Sequence, residues 1–115
     1  MSLTPLYQPD RGDYIWLDFS PHAGTEQGER RPALVLSPKR FNIATGLALV
    51  VPFTSKGKGS PFEVTVPDGT RVKGYILGSH ARSLDWIARR AVFIETAPAK
   101  TVVEVAAIVT AILQR

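Results

Sequence analysis

A mainly β fold, a small antiparallel barrel or sandwich with one helix packed against it, is what this sequence predicts. Three observations carry that reading. Short apolar or alternating runs recur at regular spacing, turn-forming residues separate them, and helical periodicity appears only in the last segment. A length of 115 residues suits one domain, residues 1–115, too short for a second core, and 44% hydrophobic against 21% charged residues is an ordinary globular balance.

The elements follow in order. Asp13 to Phe19, DYIWLDF, alternates as a strand does, with Ile15, Leu17 and Phe19 on one face and Tyr14, Trp16 and Asp18 on the other. The segment after it, SPHAGTEQGER, holds turn formers and no apolar anchor, so a mobile loop of about a dozen residues is expected. Ala33 to Leu36 is a continuous apolar run bounded by Pro32 and Pro38 and reads as a buried strand. SPKRFNIATG is a connection closed by Thr45 and Gly46, and LALVVPF is the next strand. Lys56 to Gly59, KGKG, reads as a flexible basic loop, FEVTV as a half-buried strand, and Asp68 with Gly69 as a turn. Strands near Val72 to Leu77 and Ala91 to Glu95, joined by an arginine-rich connection, complete the sheet. Thr101 with Glu104 fits a capping box, and Val102, Val105, Ile108 or Val109, and Ile112 recur at helical spacing behind it.

Charge is unevenly distributed. Through Glu29 there is one basic residue, Arg11, against five acidic ones, whereas Arg30 to Arg90 holds eleven basic residues and three acidic. A cationic middle of this kind favours a polyanionic partner such as nucleic acid. No cysteine is present, which removes disulfides, thiolate metal sites and cysteine nucleophiles. No apolar run approaches the roughly 18 residues of a membrane span and no secretory signal is visible, so a cytoplasmic protein is expected. The GxGxxG, P-loop, HExxH and GxSxG signatures are missing, and His22 and His80 lack partners at ligand spacing, so no cofactor and no metal site is expected.

What remains is a set of polar residues at strand ends and in loops: Glu26, Gln27, Arg31, Thr54, Ser55, Lys56, Lys58, His80 and Arg82. Pro32 fixes its own φ and biases Arg31 toward extended backbone, so the guanidinium is launched from a defined point where loop meets sheet. Its planar fork matches a phosphate and stays charged. An arginine at a strand end commonly pairs with a carboxylate, and Glu26 and Glu29 are near in sequence. Thr54 follows an apolar run, where a hydroxyl commonly satisfies the backbone; beside a fixed arginine it would also grip a phosphate.

The motifs GDYIWLDF, GTEQGERRPALVLSP, the Thr45–Gly46 turn, VPFTSKGKGSPFEV and RSLDW resemble the MazF/PemK family of toxin endoribonucleases over about residues 9 to 113. The resemblance implies an SH3-like barrel that forms a homodimer, cuts single-stranded RNA at short sequences without a metal, and is silenced by a cognate MazE-like antitoxin. It also implies that Arg31 and Thr54 are the catalytic pair, that Glu26 and Gln27 lie on a loop lining the RNA groove, and that Lys58 is a basic residue beside it. Ser55, Lys56, His80 and Arg82 are expected as further RNA contacts. Where relatives tend to show Asp-Gln, this chain has Ser79 and His80, and Glu29 and Arg30 are substitutions beside the key arginine. The expected reaction is attack of the 2′-OH on the adjacent phosphorus, with Glu26 and His80 as candidate proton acceptors. Two readings stand beside it, a CcdB-type gyrase poison on the same fold, which needs no such arginine, and an inactive antitoxin-binding decoy.

Overall fold

The computed structural model describes residues 6–19 and 29–114. The alternating run forms β1 (Asp13–Asp18), and the apolar run with the residues just before it forms β2 (Arg30–Val35). The two pair antiparallel, with Tyr14 opposite Leu34, Trp16 opposite Pro32 and Asp18 opposite Arg30. Further along are β3 (Leu47–Thr54), β4 (Glu63–Thr65), β5 (Tyr75–Leu77), β6 (Arg82–Asp85) and β7 (Val92–Thr96). The described residues make a seven-stranded antiparallel sheet in the order β4, β5, β3, β2, β1, β7, with β6 also on β3. This is the mainly β architecture expected, closed by a terminal helix, α2 (Ala99–Ile112).

Both faces of the central strands are covered. On one face Tyr14, Leu34, Val51, Phe53, Val64 and Ile76 pack under Val102 and Val105 of α2. On the other, Ile15, Leu17, Ala33, Val35, Ala48 and Val50 pack with Leu84 and Trp86. The buried side chains thus fall in two clusters rather than one core, one under the helix and the other closed by Leu84 of β6 and by Trp86 just after it. Two-sided burial is why β2 and β3 read as unbroken apolar runs instead of alternating ones.

Three expectations need correction. The connection after β2 contains a helix, α1 (Lys39–Thr45), so the terminal segment is not the only helical one. It has no apolar stripe to announce it. It is held instead by buried Asn42, whose side-chain amide donates to the Pro9 and Ser37 carbonyls at 2.9 and 3.0 Å while its main-chain carbonyl accepts from the Trp86 indole at 2.9 Å. The capping box is also not formed. α2 begins three residues earlier behind Pro98, whose carbonyl accepts from the Thr101 and Val102 amides, and Thr101 is buried inside the first turn. Last, the arginine-rich connection contains β6, too short for a period and with Leu84 alone buried, whereas the strand expected from Val72 shrinks to Tyr75–Leu77. Residues 71 and 72 leave the ladder because their amides go to the Glu95 carboxylate, at 2.7 and 3.0 Å.

Candidate functional site

The sheet opens where two prolines meet it. Pairing of β2 with β3 stops at Ala33 opposite Pro52, yet β3 runs on through Phe53 and Thr54, which pair with Ile76 and Tyr75 on its other edge. Neither Pro32 nor Pro52 has an amide to extend the ladder, so the strands part there. Arg31 fills the mouth of the gap. Its Nη1 donates to the Phe53 carbonyl at 3.2 Å, and its Nη2 forms an ion pair with the Glu29 carboxylate. Around it lies an open cleft of about 260 Å³, lined by these residues and Pro32 with Arg30, Thr54, Ser55 and Lys73.

Thr54 is the wall between this cleft and a second one of about 310 Å³ lined by Lys56, Lys58, Ser60, Glu63, Ser79 and His80. The Thr54 Oγ1 accepts from the Lys56 amide at 3.3 Å, which leaves its hydroxyl proton available to an anion. The basic loop is held rather than loose. Glu63 accepts from the Lys58 amide at 3.0 Å and from the Gly59 amide at 3.2 Å, and a Cβ on Gly57 would meet the Tyr75 ring at 2.9 Å. Gly74 has φ +119°, and a Cβ there would lie 2.5 Å from the Thr54 carbonyl oxygen. Only glycine tolerates both conditions, and the close approach brings Lys73 to the cleft.

The neighbouring arginine is employed differently. Arg30 donates to Asp18 Oδ1 at 2.9 Å and to the Arg90 carbonyl at 2.8 Å, while Arg90 donates to the same carboxylate at 2.7 Å. These contacts, that of Arg90 first, hold the Asp18 carboxyl below its ordinary range. In return the carboxylate pushes the Arg90 guanidinium up.

The structure therefore brings Arg31, Thr54 and Ser55 into one cleft and Lys56, Lys58 and His80 into the adjoining one. Arg82 is exposed on β6 opposite Val50 and lines neither. Glu26, Gln27 and His22 lie outside the described residues. Three charged cleft residues lie outside the candidates read from the sequence: Lys73, whose only local signal is the glycine after it, and Glu29 and Arg30, which stand there only as neighbours of Arg31. Among the described residues no group of three or more histidine, aspartate and glutamate side chains is arranged to hold a metal ion. What the cleft offers is the Arg31 guanidinium, with that of Arg30 beside it, an ammonium and a hydroxyl around a space open to solvent, an arrangement that binds an anion and stabilises negative charge as it develops.

A profile of the family described as PemK-like, MazF-like toxin of type II toxin-antitoxin system matches residues 10–113. The chain belongs to this family. Among its relatives, Endoribonuclease toxin MazF of Escherichia coli (strain K12) is 46% identical over 89 residues, covering 77% of this chain and 79% of that one. Endoribonuclease PemK of Escherichia coli is 37% identical over 94 residues, covering 77% and 70%. The fold matches a crystal structure of MazE-MazF from Deinococcus radiodurans with a TM-score of 0.88 and 51% identity over 93% of this chain and 96% of that one. As in the sequence, no helix among the described residues of this PemK-like, MazF-like toxin is long and apolar enough to cross a membrane.

Proposed function

We propose that the chain is the toxin of a type II toxin–antitoxin pair, a sequence-specific endoribonuclease that cuts single-stranded RNA in the cytoplasm, acts as a homodimer of one-domain subunits and is silenced by an antitoxin. The observation that carries it is the Arg31–Thr54 cleft at the point where the sheet parts, in a chain whose similar proteins bear the name endoribonuclease. The 2′-oxygen attacks the adjacent phosphorus as its proton leaves to a base. The bond from phosphorus to the 5′-oxygen breaks and that oxygen takes up a proton. The products are a 2′,3′-cyclic phosphate and a 5′-hydroxyl, and water enters neither bond. Arg31 stabilises the charge gathering on the phosphoryl oxygens, and Thr54 donates to one of them. Lys73 stands at the same cleft, and Lys56 and Lys58 hold the backbone of the RNA beside it. An acidic antitoxin segment laid across the same cations would block the substrate.

The test is incubation of the protein with long mixed-sequence RNA in EDTA, beside an all-deoxy copy, with the new ends mapped. Discrete cuts ending in cyclic phosphate on RNA alone are expected, because the deoxy copy lacks the attacking group. Cleavage of both at similar rates, or none by folded protein, would refute this reaction.

A further inference from the structure

We infer that a third cleft, between Trp16 and the Arg71 and Lys73 side chains, is a stacking subsite that takes one unpaired base of the RNA next to the reacting phosphate. The inference rests on the ribonuclease reading and extends it to substrate recognition. On β1 the face that carries Tyr14 into the core and Asp18 into the arginine cluster also carries Trp16, yet Trp16 is 41% exposed while Tyr14 is fully covered. It borders an open cleft of about 320 Å³ with Pro32, Arg71, Val72, Lys73 and Ile94. Among the described residues no acidic side chain lines it. Pro32 and Lys73 also line the Arg31 cleft, so the two spaces adjoin across shared walls.

The chemistry of the walls selects the occupant. A flat indole beside a proline ring, with two cations at the rim, matches a base and its phosphate: the π-face stacks while the ammonium and guanidinium meet the negative charge. The cations stand on a fixed loop. Glu95 takes the Arg71 and Val72 amides, and Arg71 Nη1 donates to the Ile94 carbonyl at 3.3 Å. Those same bonds take up the Arg71 and Val72 amides and the Ile94 carbonyl, backbone groups that a peptide adding here as a strand would need. An unpaired nucleotide needs no backbone partner, and so it is favoured over a peptide here.

The experiment uses non-cleavable 2′-O-methyl oligonucleotides containing the cut sequence mapped with wild-type protein, each with a single abasic position. Wild-type protein should lose affinity sharply at one abasic position near the cut. Trp16→Ala should bind the intact oligonucleotide roughly 5- to 100-fold more weakly and be indifferent to that position. Trp16→Phe, which keeps a ring, should retain both affinity and sensitivity, and it guards against a folding defect in the alanine variant. In wild-type protein the exposed Trp16 should lose fluorescence on binding, whereas Trp86, 4% exposed, should not. If RNA is cut but no position depends on Trp16, the subsite is refuted and the ribonuclease reading stands. Weakened antitoxin binding with RNA affinity unchanged in Trp16→Ala would likewise refute it and assign the cleft to the antitoxin. Absence of RNA cleavage by wild-type protein would remove both readings.

Discussion

Arg30 and Arg31 are neighbours in sequence, carry the same group and both border the cleft, yet their partners differ in kind. Arg30 shares the Asp18 carboxylate with Arg90 and caps the Arg90 carbonyl, joining the end of β1 to the chain before β7. Arg31 lies on the other side of the strand, between one backbone carbonyl and the largely exposed Glu29 carboxylate, at the edge of an open cleft. The first guanidinium is bonded to partners that other elements fix in place. The second is paired with a carboxylate that a phosphate can replace. Side-chain type therefore says little here; what separates a structural cation from a reactive one is whether its anionic partner is built in or exchangeable.

The largest effect should come from breaking one member of this pair at a time. Arg31→Ala is expected to leave a folded protein and to lower RNA cleavage on the order of 10²-fold or more, as removal of one preorganised electrostatic group commonly does. Arg30→Ala should cost less than about 10-fold in rate and show mainly as a lower melting temperature. Single-turnover rates and thermal melts of the two variants check this, and a larger loss of rate in Arg30→Ala would reverse the assignment.

How much of this was legible beforehand varies with the kind of force involved. β1, β2 and β3 announce themselves because their burial is written in apolar spacing, and Arg31 and Thr54 stand out because prolines and apolar runs bracket them. α1 was hidden because its stability comes from one buried amide, Asn42, reaching to Pro9, a contact that leaves no period in the sequence. Lys73 was hidden for a related reason. It reaches the cleft only because Gly74 lets two backbones come close, and the partner, Thr54, is twenty residues away. Asp18 and Arg90 are 72 residues apart in sequence, so nothing local could tell which arginine Asp18 would hold.

A smaller effect sharpens the exchangeable side of the comparison. Glu29 sits on Arg31 where a phosphate is expected to go, so its charge competes with substrate. Glu29→Gln removes that charge and keeps the shape. Because Glu29 is largely exposed, the gain is that of a surface pair, and KM for RNA should fall by about 2- to 5-fold at low salt, less at high salt. Steady-state kinetics at two ionic strengths read this directly. A fall in kcat on the order of 10²-fold instead would mean that Glu29 is the group that accepts the 2′ proton.

The smallest expected effect lies on the built-in side and depends on pH. The bonds from Arg90 and Arg30 lower the Asp18 carboxyl from its ordinary value of 3.8 in the folded protein, so the folded state binds that proton less readily than the unfolded chain does. The stabilisation is therefore fully present above the ordinary carboxylate range and is lost as pH falls through the lowered folded-state value. Asp18→Asn should melt a little below wild type at about pH 7, with the gap constant down to about pH 5 and closing below 3.8 as the wild-type carboxyl protonates. The gap stays small because the Arg90 partner lies in solvent, where screening weakens the pair. Thermal melts across that range separate charge from shape: a gap that persists at the acid end would mean that the asparagine disturbs packing between β1 and the chain before β7, and that the two arginines do not act through the carboxylate charge.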